Sequence, residues 1–325
     1  MNHKPHMLWG VPGVGLLIGL CLMAQPQTVK HPLAFEHERD VDTSQWHFVP
    51  QWQGSLLVGY EDFESSAPRI FALDRDGKRE EILYELPGSP WIYVYSVGAG
   101  ADGSMVVAGN ALSSDSRAAN FVTWISPDRK RQVVIRVWPY IAMRATVAAD
   151  GTIWAVGSLN DEENTRVVAY NVVRRFDLSG KTLSSLAVSA RGMDAGADAT
   201  QASHLVTSRD RVGWFTSGCE YLEFSLDGVL RDRFDGPAGL DWRGLDGVGL
   251  SDDNDLVIGR NPGGKFFEVL ALDRTARQWA PVSLPEPMTR VWNGLLGFDG
   301  KTLVTHYADG RLRRFKPSGA AAANQ

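Results

Sequence analysis

The sequence predicts an all-β fold, a six-bladed β-propeller with four antiparallel strands per blade. Three observations predict it. A tight polar turn between two apolar segments recurs six times, a second turn follows most copies, and the strand after the first turn is apolar on both faces.

The clearest copies of the first turn are "ADGSMVVAG" from Ala101, "ADGTIWAVG" from Ala149 and "FDGKTLVTH" from Phe298. Looser copies begin at Trp52, Ser208 and Ser251. Aligned, the turn positions are Gln53, Asp102, Asp150, Asp210, Asp253 and Asp299, spaced 43 to 60 residues apart. Asp-Gly is expected here because the central residues of a hairpin turn need positive φ, which Gly adopts freely and Asp tolerates. The second turn appears as "ALDRDGK" from Ala72, "ISPDRKR" from Ile125, "FDLSGKT" from Phe176, "FSLDGVL" from Phe224 and "LDRTARQ" from Leu272. Four short strands in a repeat of about 45 residues make a propeller blade. Residues 105–107, 153–156 and 256–258 are continuous apolar runs, as expected of strands covered on both sides by neighbouring blades. No stretch carries a capped helical period.

The sixth copy lacks a fourth strand before the chain ends. Residues 33–38 precede the first inner strand without a partner of their own. They are expected to pair into the last blade and close the ring, which removes exposed sheet edges. The domain plan is therefore a leader over 1–24, the propeller over 25–317 and a disordered tail over 318–325. The leader has Lys4 followed by an uncharged, mostly apolar run over 7–24 that ends before Gln25 and Pro26. This is the layout of a signal peptide for a periplasmic or secreted protein, with Ala24 as the last residue before cleavage. The alternative is an uncleaved membrane anchor formed by residues 7–24.

The chain has 325 residues, a formal net charge of -5 and 44% hydrophobic residues. A mildly acidic balance argues against nucleic acid as a partner. Of two cysteines, Cys21 lies in the leader and Cys219 stands alone, so the mature protein has no disulfide to rely on. Cys219 is expected as a small buried residue among strand residues. The long "SARGMDAGADATQAS" insertion from Ser189 is expected as a surface loop. No cofactor and no metal is predicted; His47, His204 and Asp246 make a thin donor set for zinc.

One unit matches a known repeat in detail: Asp150, Gly151, Ile153, Asn164, Arg166, Val167, Phe176, Asp177, Gly180 and Lys181. It resembles an NHL-type unit with an insertion. As architecture, the chain resembles the six-bladed propellers that include the NHL-repeat and TolB-like groups. That resemblance implies the fold. It names no activity, because propellers serve binding, scaffolding and several chemistries.

Counting back six residues from each turn gives His47, Ser96, Arg144, His204, Gly247 and Asn293. Counting back five gives Phe48, Val97, Ala145, Leu205, Val248 and Gly294. Strict alternation places these two sets on opposite faces, so the polar set is expected to line the central channel. Trp91, Tyr93, Tyr140, Trp242 and Trp292, with Arg243 and Arg290, fall at the starts of inner strands, on the face expected to carry the inter-blade loops. Aromatic faces and guanidinium forks suit sugars and carboxylates. The expected function is a non-catalytic exported propeller that binds a small polar or anionic ligand, or a protein partner, at this channel face. The alternatives are an extracytoplasmic hydrolase or lyase using His47, His204 and Arg144, and a structural protein-interaction module.

Overall fold

The computed structural model describes residues 33–42, 51–53, 56–61, 64–65, 67–74, 78–115, 117–160, 166–188, 203–241, 244–261, 266–285, 288–289, 296–306 and 311–318. The leader, His47, Trp242, Arg243, Arg290, Trp292, Asn293, the insertion over 189–202 and the tail beyond Ser318 lie outside them. Among the described residues every extended regular element is a β-strand, and these form six antiparallel sheets arranged as a six-bladed propeller.

The N-terminal strand β1 (Phe35–Asp42) is set aside for the last blade. Blade 1 runs from β2 (Gln51–Gln53) through β3 (Leu56–Glu61) and β5 (Arg69–Leu73) to β6 (Arg79–Leu83), with the short β4 (Glu64–Ser65) between its second and third strands. Blade 2 is β7 (Trp91–Ala99), β8 (Met105–Leu112), β9 (Ala118–Ile125) and β10 (Gln132–Arg136). Blade 3 is β11 (Tyr140–Val147), β12 (Ile153–Asn160), β13 (Arg166–Phe176) and β14 (Thr182–Val188). Blade 4 is β15 (His204–Thr207), β16 (Arg211–Phe215), β17 (Glu220–Ser225) and β18 (Leu230–Asp235). Blade 5 is β19 (Leu245–Leu250), β20 (Leu256–Arg260), β21 (Phe266–Asp273) and β22 (Gln278–Pro281), and β23 (Met288–Thr289) pairs back onto the start of β21. Blade 6 holds β24 (Leu296–Asp299), β25 (Thr302–His306) and β26 (Arg311–Pro317). Its fourth and outermost strand is β1, antiparallel to β26 from Phe35 opposite Pro317 to Asp42 opposite Arg311. Just before β1, Ser283 at the end of blade 5 exchanges backbone hydrogen bonds with Leu33 and Phe35 at 2.9 and 3.0 Å.

The inner strands β2, β7, β11, β15, β19 and β24 each lie against the next, and β24 lies against β2. Both faces of the middle strands are buried: Met105, Val106, Val107 and Ala108 are all 0% exposed. Successive side chains of such a strand point to opposite blades. Val107 thus packs with Ile70 and Val97 between blades 1 and 2, whereas Val106 packs with Ala145 and Phe176 between blades 2 and 3. Equivalent apolar clusters fill the other blade interfaces. Between blades 6 and 1 the described cluster is Leu73, Val304 and Leu312, flanked by Val41 of β1.

The turn residues act differently from the expectation of paired positive φ. Gly103 and Gly151 carry it, at 84° and 77°, while Asp102 and Asp150 do not. Each Asp instead uses its carboxylate as an acceptor. Asp102 Oδ1 takes the Ser104 N–H at 2.9 Å and its hydroxyl at 2.6 Å, and Asp150 Oδ1 does the same for Thr152 at 3.0 and 2.6 Å. This Asx geometry satisfies a donor that the tight turn would otherwise strand. The second Asp oxygen ties the turn to the third strand of its own blade. Arg175 reaches Asp150 at 3.4 Å, and Arg314 reaches Asp299 at 2.7 Å. Both arginines directly precede the Phe of that strand. In blade 4 the same place holds Glu223, 1% exposed, which pairs with Arg211 of its own blade and with Arg274 of blade 5 at 2.6 Å.

Cys219 is also placed differently from the strand position expected of it. It lies half-buried in the turn between β16 and β17, at φ 57°, beside the Gly218 that precedes it. Burial, with Asp241 nearby, pushes its thiol up to about 11, so it is held as the unreactive thiol.

The closing interface sets a stability prediction. Leu312 is 1% exposed in the cluster between blades 6 and 1. Leu312→Ala is expected to cost about 2–5 kcal/mol in urea unfolding, whereas Leu183→Ala, at a residue 41% exposed, is expected to stay within about 0.5 kcal/mol.

Candidate functional site

The inner strands do not alternate strictly. A β-bulge interrupts β7 between Val94 and Ser96, β11 between Ala142 and Arg144, and β19 between Leu245 and Gly247. The extra residue is Tyr95, Met143 or Asp246, in each case one place before the polar position of the sequence alignment. A bulge opposes two residues to one and re-aims the side chains around it. Residues three apart then share a face. Val94 and Val97 both pack toward blade 1, Ala142 and Ala145 toward blade 2, and Leu245 and Val248 toward blade 4.

In β7, β11 and β19 the aligned positions consequently sit on the side facing the next blade. Ser96 is 1% exposed, and its Oγ has no hydrogen-bond partner among the described residues. Arg144 is long enough to leave its strand. Its Nε donates to the carbonyl of Ser203, the residue that leads into the inner strand of blade 4, at 3.2 Å. That contact brings it beside His204, the first residue of β15. Its charge also reaches Tyr60, near the end of the second strand of blade 1. Arg144 therefore links groups from blades 1, 3 and 4.

Blade 2 supplies the rest of the wall. The Tyr60 hydroxyl donates to the Tyr95 carbonyl at 3.3 Å, at the bulge. Tyr93 and Tyr95 lie with ring centroids 5.2 Å apart and planes inclined at 55°. The excursion from blade 1 reinforces this corner, because β4 adds a short strand to β7 with Glu64 opposite Tyr93. Tyr60, Tyr93, Tyr95, Arg144 and His204 are each partly buried. Trp91, at the start of β7, is 42% exposed.

Burial decides the protonation states. It raises the phenols of Tyr60 and Tyr95 above their ordinary range, and neighbouring Tyr93 adds to both, while Arg144 pulls Tyr60 partly back. The phenols therefore stay neutral. His204 is pulled down to about 3, first by burial and then by the Arg144 charge, so its ring is neutral at physiological pH. Burial also lowers Arg144, with Tyr60 opposing, but a guanidinium starts high enough to stay charged. The Arg144 cation thus stands beside the neutral Tyr60 phenol and the neutral His204 ring.

Of the residues expected from sequence, Arg144, His204 and Tyr93 come together here, and Ser96 lies buried on the same strand as Tyr93. Tyr60 and Tyr95 were not anticipated. Tyr60 could have been noticed as the aromatic that ends the apolar run of the first repeat, "WQGSLLVGY". Tyr95 was hidden by the assumption of strict alternation. Among the described residues no group of three or more His, Cys, Asp or Glu is arranged to hold a metal.

No protein-family model matches the chain, and no curated protein matches it by sequence. Solved structures do. A structural genomics protein of unknown function from Bacteroides thetaiotaomicron VPI-5482 is 12% identical, covers 87% of this chain and 73% of its own, and superposes with a TM-score of 0.50. BBS1N, crystallised in complex with ARL6DN, is 14% identical over 82% of this chain and 76% of its own, with a TM-score of 0.44. At 12% identity the likeness to the Bacteroides protein concerns the fold alone.

The depressed imidazole gives a pH prediction. Between about 3 and the ordinary 6.5 the unfolded chain binds a proton at His204 that the folded chain does not. Stability from this residue is therefore present above pH 6.5 and falls as the pH drops toward 3. His204→Gln is expected to flatten the decline of melting temperature on acidification. An unchanged slope would show that His204 titrates normally in the fold.

Proposed function

We propose that this chain is an exported, non-catalytic binding protein that takes a small carboxylate-bearing ligand at the mouth of its central channel. The observation that carries the proposal is the convergence of Arg144 with Tyr60, the Tyr93–Tyr95 pair and His204. A guanidinium presents two parallel N–H groups to a carboxylate, and that charge-assisted pair is stronger in a partly desolvated site than in water. The neutral Tyr95 phenol adds a hydroxyl donor without adding opposing charge, and the aromatic pair offers a surface to the ligand's apolar body.

The protonation states favour binding over chemistry. A general acid or base works best with a pKa near the operating pH. His204 at about 3 and the raised tyrosines sit far from neutrality on either side. They serve as fixed hydrogen-bonding groups rather than proton shuttles. This weighs against the hydrolase or lyase alternative. Export is supported by the uncharged, apolar run over residues 7–24 behind Lys4.

Isothermal titration with succinate, benzoate and inorganic phosphate tests the site. At least one carboxylate is expected to bind, and Arg144→Met is expected to weaken it by about 10- to 100-fold, the worth of a hydrogen bond to a charged group. Arg117→Met, at an exposed arginine paired with Asp115, is expected to leave binding intact. No binding of either carboxylate, or equal binding by the Arg144 variant, would exclude the proposal. Mass spectrometry of the mature protein checks the export reading: the expected first residue is Gln25, and an intact Met1 would count against cleavage.

A further inference from the structure

We propose a second, independent ligand site in the cleft between blades 4 and 5, shaped for a neutral sugar ring. A cavity of about 770 Å³ opens there. It falls within the range of small-molecule sites, roughly 300–1,000 Å³.

Its two walls are unlike. On the blade 4 side the chain runs through Gly236, Pro237 and Ala238, which project little. Gly236 has no choice in this. Its N–H donates to the Cys219 carbonyl at 2.7 Å, and a Cβ at Gly236 would stand 2.7 Å from that same oxygen. The opposite wall is Trp279 of β22. Its indole N–H donates to the Asp235 carbonyl at 2.8 Å, and its ring meets Phe215 edge-on at 6.3 Å between centroids. The hydrogen bond and the Phe215 contact hold Trp279 in place as a fixed, partly exposed aromatic wall, and the small residues opposite leave the space beside it open. Such preorganisation spares a ligand the cost of ordering the site.

The polar groups of the cavity select the ligand class. Arg260 and Glu268 face each other across β20 and β21 and pair at 2.8 Å. Arg277 pairs with Asp232 at 3.2 Å and stacks over Phe234 at 4.4 Å. Paired charges offer no net attraction to an ion. They still present donors and acceptors side by side, and Gln278 adds one of each. A sugar hydroxyl both donates and accepts, so a polyol uses such a rim fully. The C–H face of a pyranose ring is apolar and lies flat on an indole. An anion would lack an unpaired cation here, and a purely apolar ligand would leave the rim groups desolvated without partners.

Saturation-transfer NMR with glucose, galactose, mannose, N-acetylglucosamine, maltose and cellobiose tests the site on the full chain. At least one of these sugars is expected to bind with millimolar affinity or better. Ala238→Leu fills the cavity from an exposed residue to which Trp279 makes no hydrogen bond; the indole N–H goes to the Asp235 carbonyl. Glu268→Gln keeps the shape of the rim and removes its charged acceptor. Each is expected to weaken binding by about tenfold or more with the thermal melt unchanged. Arg144→Met is expected to leave sugar binding as it was, which separates this site from the channel mouth. Three results would overturn the proposal: no sugar of the panel binds, binding survives both Ala238→Leu and Glu268→Gln, or binding disappears with Arg144→Met.

Discussion

Everything in this molecule depends on sheets that are apolar on both faces and must be covered on both. A blade such as β7–β10 cannot bury Val107 and Val106 at once unless one neighbour lies on each side. Burying one such side chain stabilises by about 1.5–3 kcal/mol, and each blade contributes several. The geometric solution is a ring, in which every blade is both cover and covered. The described residues show the inner strands touching in a full circle, with β24 against β2. The outermost strand of blade 6 comes from the opposite end of the chain, as β1 on β26. A single half-buried thiol at Cys219 leaves the described fold without a disulfide. Packing, the β1–β26 ladder and the Asp–Arg ties between turn and third strand must carry the load.

The same constraint shapes the cluster around Arg144. Inner strands in a ring must present one face to each neighbour, and three of them, β7, β11 and β19, do so with a bulge. The bulges fall at Tyr95, Met143 and Asp246, one repeat position in three blades. They restore the apolar residues to the preceding blade and turn the next residue toward the following one. Arg144 follows such a bulge, and its contact with the Ser203 carbonyl is the result. The site thus follows from the bulges of β7 and β11, with His204 supplied by β15 and Tyr60 by the second strand of blade 1.

Much of the fold was legible in the sequence because its signals are local. Asp-Gly turns mark the ends of hairpins, and runs such as residues 105–107 announce two-sided burial whatever surrounds them. The mechanism of the turns was less legible. Asp102 and Asp150 work through a side-chain acceptor, which depends on a Ser or Thr two residues on, and not through positive φ. Cys219 read as a strand residue because its flanks are strand-like, yet the left-handed turn it occupies is set by the hairpin between β16 and β17. The candidate site was legible only in part. Tyr93 stood out as an aromatic at the start of an inner strand, and Arg144 and His204 could be aligned by counting from the turns. Ser96 aligned with them too, but a short side chain on the inter-blade face stays buried where a long one emerges. Tyr60 and Tyr95 needed the bulge and the packing of blade 1 on blade 2, which no local pattern records. His47, Asn293, Trp242, Arg243, Arg290 and Trp292 lie outside the described residues, and the channel-mouth reading does not rest on them.

The most direct measurement is an anomalous-scattering map from crystals soaked in bromide, a monovalent anion that stands in for one carboxylate oxygen. A peak within contact distance of the Arg144 guanidinium, bordered by Tyr60 and Tyr95, is the expected result. An Arg144 guanidinium folded against a protein carboxylate, with no peak at the channel mouth, would contradict the site.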